Sequence, residues 1–125
     1  MRISKGTAEK IKKEYNEWVA KQYCDQDLKM RQKRGAFYTP PEITIMMLKK
    51  FKNLKGTICD PCLGAGGLIA AAIIAGADPK KCYGIELDPD TLKLAKERLG
   101  KIGVPESNLV LGNALEEDSW KSLTI

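Results

Sequence analysis

Histidine is absent from this chain. Without imidazole, and with no Ser or Cys set beside a base, nucleophilic hydrolysis has no support. The same absence narrows metal chemistry. Cys59-Asp60-Pro61-Cys62 has Cys-x-x-Cys spacing, but a zinc site needs four ligands, and only the isolated Cys24 and Cys82 are left to complete it. A redox pair at a helix entrance stays chemically open. Core packing and loop duty account for these cysteines more simply, and no metal is expected. Their irregular spacing and the lack of a targeting segment predict free thiols in a reducing cytoplasm. No run of about 18 apolar residues occurs, so no membrane span is expected. The start, Met1-Arg2-Ile3-Ser4-Lys5-Gly6, carries no apolar stretch before a small-residue cleavage site. At 125 residues there is room for one core and none for a second full domain.

Charge is plentiful but unevenly placed. Residues 1–35 hold ten Lys or Arg against five Asp or Glu, whereas residues 36–125 hold eleven of each. The whole excess of +5 therefore sits in the first segment. A basic arm, residues 1–34, ahead of a neutral domain, residues 35–125, suits a polyanion such as DNA or RNA. It equally suits a solvated helix that keeps the chain dissolved.

Residues 7–33 lack Gly and Pro and are rich in helix formers. Ile11, Tyr15, Trp18, Val19 and Gln22 form a narrow apolar stripe, with Tyr15 and Trp18 read as packing anchors. Glu14 with Trp18, and Glu17 with Lys21, fit exposed helix spacing. One or two helices are predicted, capped by Ser4 or Thr7. They end at Gly35, after the cationic run Lys29-Met30-Arg31-Gln32-Lys33-Arg34. In Ala36-Phe37-Tyr38-Thr39-Pro40-Pro41 the prolines exclude helix. Thr39 is the expected N-cap and Pro40 the first helical residue of a helix over about 40–52. Ile43, Met46, Met47 and Phe51 are its expected apolar face.

From here short strands and helices alternate. Thr57–Asp60, Cys82–Leu87 and Asn108–Leu111 read as strands, and helices run through Leu68–Ala75 and from Asp88-Pro89-Asp90 to Gly100. Repeats and low-complexity stretches are absent. Strand-helix-strand-helix-strand predicts a parallel sheet with right-handed crossovers. The fold class is therefore α/β, a Rossmann-like domain with a truncated sheet of about three strands and an N-terminal helical extension.

Ligands of an open parallel sheet sit beyond the carboxyl ends of its strands, and those ends here carry Asp60, Glu86 and Asn113. Between Asp60 and the next helix lies Pro61-Cys62-Leu63-Gly64-Ala65-Gly66-Gly67. Its glycines allow a tight turn and close backbone approach, and the helix behind it offers free N–H groups. On its own, such a segment is also just a strand-to-helix turn. Glu86 suits a ribose, because a carboxylate accepts from both hydroxyls. Asp60 would repel a pyrophosphate but suits an ammonium group. The pair therefore favours a cationic nucleotide-like ligand such as S-adenosylmethionine over NAD or FAD. The turn also lacks the Gly-Lys-Ser/Thr ending of a P-loop.

The ordered set Gly35-Ala36-Phe37-Tyr38-Thr39-Pro40, Asp60-Pro61-Cys62-Leu63-Gly64-Ala65-Gly66, Glu86-Leu87-Asp88 and Gly112-Asn113-Ala114-Leu115 resembles the adenine-N6 DNA methyltransferases of bacteria and phages. The resemblance runs from about 33 to 118. It implies S-adenosylmethionine as cofactor, DNA as partner, and methyl transfer to an exocyclic amine of a base. It also implies roles: Phe37 beside the cofactor, Tyr38 and Thr39, with Pro40, at the methionine carboxylate end, and Asp60, Pro61, Cys62, Gly64 and Gly66 around the methionine portion. Glu86 would take the ribose, Leu87 and Asp88 would lie near the adenine, and Asn113, with Ala114, would reach the base edge. The family often carries Asp where this chain has Asn113.

One family element is missing. Members hold the target amine and flipped base with an Asn/Asp-Pro-Pro-aromatic motif after a fourth strand, and no such motif follows Asn113. No catalytic residue is therefore assigned, and the expectation is the cofactor part of a methyltransferase. The alternatives are a stand-alone, non-catalytic binding or regulatory partner, and a small enzyme completed by homodimerisation. In the family's sheet order the first strand would have an open edge without strand four.

Overall fold

The computed structural model describes residues 1–25 and 38–123. Gly35, Ala36, Phe37 and the cationic run over 29–34, on which sequence-based expectations fell, lie outside the described residues, as does the side chain of Cys24.

The first helix, α1 (Lys5–Asp25), starts where Ser4 caps it: Ser4 Oγ accepts from Thr7 N at 3.1 Å. Its stripe is buried as expected at Ile11 and Trp18, and Ile11 enters the same core as Ile69 and Leu99. Glu14, expected on a solvated face, instead pairs with Arg98 across the fold. Helix α2 (Pro41–Leu48) corrects the expected start. Pro40, not Thr39, is the N-cap, at φ −59° and ψ 147°, and Pro41 takes the first turn. The cause is steric: a residue before proline is pushed out of helical geometry, so Pro40 cannot be helical ahead of Pro41. The helix also ends at Leu48, short of residue 52. Its buried side is Pro41, Thr44, Ile45 and Leu48, whereas Ile43, Met46, Met47 and Phe51 are exposed, Met46 by 61%. An eight-residue helix that is apolar on most sides carries no usable period. Its packing against α1 and the next helix selected the face.

Strand β1 (Ile58–Asp60), helix α3 (Gly67–Ile74), strand β2 (Cys82–Glu86), helix α4 (Pro89–Gly100) and strand β3 (Leu109–Leu111) follow in the predicted order. A short helix, α5 (Glu117–Lys121), comes after them. Among the described residues the strands form one parallel sheet in the order β1-β2-β3, so β1 is an edge strand there. Asp78 and Asp88 start the turn before β2 and helix α4. Asp78 accepts from Lys80 N, and Asp88 Oδ2 accepts from Thr91 N and Thr91 Oγ1 at 2.9 and 2.6 Å. Gly76, at φ +119°, lets the chain leave α3, where a side chain would be strained. Buried Ile69, Ala70, Ala71 and Ala72 of α3, with Leu92, Ala95 and Leu99 of α4, pack on Cys82 and Leu109 of the sheet. The small alanines let α3 lie close to the strands. Among the described residues, no helix is long and apolar enough to cross a membrane.

Candidate functional site at the strand ends

Register decides how the glycine turn sits. Asp60 pairs with Gly84, and β2 runs two residues further before Glu86 faces Leu111. The chain leaving Asp60 therefore bends over the end of β2. Leu63 N donates to the Ile85 carbonyl at 3.0 Å, and Gly64 N donates to Glu86 Oε1 at 2.9 Å. Leu63 lies on Gly84 so tightly that a Cβ there would stand 2.6 Å from Leu63 Cδ1. Gly84 was not among the expected site residues, although a glycine inside a strand is itself a signal of close approach. Gly66 caps α3 at φ +85°, and a Cβ on it would meet Leu99 Cδ1 at 2.8 Å. Both its backbone angle and its surroundings require glycine.

Glu86 acts as a staple. One oxygen takes Gly64 N and the other takes Asp88 N at 2.9 Å, which joins the glycine turn to the β2–α4 turn. A carboxylate has about four acceptor positions, so both oxygens keep capacity for further donors. Asp60 turns its carboxyl back on its own loop: Oδ1 accepts from Cys62 N at 3.0 Å. Burial pushes the Asp60 pKa above the ordinary carboxylate value, the Cys62 hydrogen bond works against this, and the charge of Glu86 adds to the rise. An ionised Asp60 is thus poorly compensated by the protein alone.

Asp60, Cys62 and Gly64 line a cavity of about 260 Å³ together with Tyr38 and Thr39. Leu63 and Ala65 of the same turn also form its wall, as do Tyr15, Met47 and Arg98, and these last three were not among the expected site residues. For Arg98 a signal existed: it shares the apolar spacing of Leu92, Ala95 and Leu99 on α4, where an ionisable residue is out of place. Glu86, Leu87, Asp88, Asn113 and Ala114 lie along the strand ends rather than in the cavity wall. Leu87 is 68% exposed. Asn113 closes its own turn by accepting from Leu115 N, while Trp120 Nε1 of α5 donates to the Ala114 carbonyl at 2.8 Å. Pro61 and Cys62 are exposed. Cys59, Cys62 and Cys82 are free thiols, and among the described residues no group of three or more acids or cysteines is placed to hold a metal ion.

A glycine turn crossing the carboxyl end of a parallel sheet, with acids at two adjacent strand ends, defines the class: a Rossmann-like α/β domain of the methyltransferase type. The family model described as N-6 DNA Methylase matches residues 9–124, and the chain belongs to that family. Two curated relatives agree on methyl transfer. A stretch of 84 residues, 63% of this chain, is 37% identical to the Type II methyltransferase M.VspI of Vibrio sp. (strain 343) and covers 20% of that protein. Another 84-residue match, 66% of this chain, is 32% identical to a probable cobalt-precorrin-6B C(15)-methyltransferase (decarboxylating) of Pyrobaculum aerophilum (strain ATCC 51768 / DSM 7523 / JCM 9630 / CIP 104966 / NBRC 100827 / IM2) and covers 43% of it. The chain thus spans a fifth of the first relative and under half of the second. What the names of the two relatives have in common is methyl transfer.

Proposed function

We propose that this chain is the donor-binding part of a DNA adenine-N6 methyltransferase and that its donor is S-adenosylmethionine. The carrying observation is Asp60, a half-buried carboxyl on the cavity wall whose charge the protein leaves under-compensated. A cationic ligand would supply the missing compensation, so the residues present fit the amino-acid end of that donor. Bound S-adenosylmethionine supplies an electrophilic methyl group on a sulfonium centre.

The chain's own residues then divide the work. Asp60 takes the ammonium group, and Tyr38 and Thr39, on the same cavity wall, take the carboxylate end. At about 260 Å³ the cavity is below the usual size of a site for a whole ligand of this kind, so it holds the amino-acid half. The nucleoside half would then extend outside it, along the strand ends. There Glu86 accepts from the ribose, Leu87 offers an apolar contact to the adenine, and Asn113 with Ala114 borders the base edge. Direct transfer of a methyl group to an amine needs positioning and electrostatics, and no covalent enzyme intermediate. DNA is the proposed partner, held through phosphate contacts by the basic segment 1–34, in the cytoplasm and in a restriction-modification setting.

The sequence has no Asn/Asp-Pro-Pro-aromatic motif, so the groups that hold the target amine come from outside these 125 residues. A C-terminal half or a second protomer would provide them. The β1 edge, free of a further strand among the described residues, is where added sheet would pair. Calorimetric titration of the chain with S-adenosylmethionine tests the donor assignment, and an absence of heat and of competition by S-adenosylhomocysteine would sink it. Labelled methyl transfer to unmethylated DNA, with sedimentation to read protomer number, separates a catalytic dimer from a donor-binding part. The expected result is binding with little transfer.

A further inference from the structure

We propose that Arg98 is a positioning residue of the donor site, and that helix α1 is through it a working wall of that site. The inference rests on the assignment of the cavity as a methyl-donor site.

Arg98 has a side chain only 5% exposed, on a helix whose other buried residues are Leu92, Ala95 and Leu99. A guanidinium in such a place is costly unless it is fully paired. It is held from two directions. Its Nε and Nη2 each donate to one oxygen of Glu14 at 2.8 Å, the two-pronged geometry of a strong charge-assisted pair. Its Nη1 donates to the Ala65 carbonyl at 3.4 Å, inside the glycine turn, and a Cβ on Gly67 would lie 3.5 Å from the same atom. The guanidinium carbon also lies 4.2 Å from the centre of the Trp18 ring. Trp18 in turn meets Tyr38 edge to face, with ring centres 4.6 Å apart and planes at 79°.

One side chain therefore links α1, the C-terminal turn of α4 and the glycine turn, and through Trp18 it reaches Tyr38. Arg98, Ala65 and Tyr38 all line the one cavity. Burial alone does not explain this choice, since an apolar residue of similar volume would fill the space and often stabilises a fold at least as well. What an apolar residue cannot do is hold the Ala65 carbonyl and the Trp18 ring in fixed directions at once. The consequence is preorganisation: the turn under the donor and the aromatic wall beside it are set before the donor arrives.

The test uses the full chain, titrated with S-adenosylmethionine. Glu14→Gln is the principal variant, because Glu14 is 29% exposed and the substitution keeps its shape. Arg98→Lys is the second, keeping the charge but not the fork. Each is expected to weaken donor binding about tenfold, the scale of an interaction of this kind. Incorporated 5-fluorotryptophan gives a fluorine resonance each for Trp18 and Trp120. The resonance shifted by Glu14→Gln is expected to be the one that moves when the donor binds. A merely structural pair would lower the unfolding midpoint while leaving affinity and that donor-induced shift at their normal values. That result, found for a folded Glu14→Gln chain, overturns the proposal while the donor assignment stands. A normal chain that binds no donor overturns both.

Discussion

Replacing Asp60 with Asn removes a charge and almost nothing else. The side chain keeps its volume, and its amide oxygen can still accept from Cys62 N, so the turn that Asp60 starts is retained. Burial and the charge of Glu86 push the Asp60 pKa up, which means that Asp60 resists ionisation without a cationic partner. A group whose folded pKa is raised contributes stability below its unfolded pKa and loses it as pH rises through the folded value. The unliganded Asp60→Asn chain should therefore resist urea at neutral pH as well as the natural one or better, with the difference shrinking on acidification as Asp60 takes up its proton. Donor binding should respond oppositely. A hydrogen bond to a charged group contributes about 1.5–3 kcal/mol, so its loss should weaken S-adenosylmethionine about 10- to 150-fold. In the natural chain the ammonium favours ionised Asp60. Affinity should then fall as pH drops through the raised pKa, with uptake of a proton on donor release. Calorimetry across the acid side of neutrality, in buffers of different ionisation heat, measures both quantities. Equal affinity in the two chains would refute the role of Asp60, as would a loss of stability as large as the loss of binding.

The glycine turn yields a paired prediction: Gly66→Ala meets both strain and the Leu99 side chain and should cost about 2–4 kcal/mol in urea unfolding, whereas Gly64→Ala, at φ +56° with open space around it, should cost about 1–2. A reversed order would show that the turn adapts. Removing the cap with Asp88→Ala should destabilise the chain by about 1 kcal/mol, read from the same unfolding curves, with an unchanged midpoint counting against the cap. Thiol labelling followed by peptide mass spectrometry should modify exposed Cys62 ahead of Cys59 and Cys82. Cys82, whose pKa burial and Asp78 push up to about 11, should stay unmodified until the chain unfolds, and early labelling of Cys82 would contradict its burial.

Much of the architecture was legible because its causes are local. Strand, turn and helix alternated at short range, and the caps at Ser4, Asp78 and Asp88 act over two or three residues. The start of α2 was misassigned by one residue even though the deciding rule, the effect of proline on its predecessor, was equally local. Its buried face was a different matter. Eight mostly apolar residues contain no preference that α1 and α3 do not supply. The site divides along the same line. Asp60, Gly64, Tyr38 and Thr39 were expected together, and the fold does bring them to one cavity. Glu86 was expected at the same edge. Its stapling of Gly64 to Asp88 depends on β2 outrunning β1 by two residues, and register is a property of the assembled sheet.

By itself the sequence determined the order of elements, the parallel sheet and the acids at its strand ends, since periodicity, proline, glycine and capping all act between near neighbours. Only the tertiary structure decided that α1 belongs to the site wall. Glu14 and Arg98 stand 84 residues apart, and no local rule pairs a surface-spaced acid with a cation on another helix until both are folded onto the same turn.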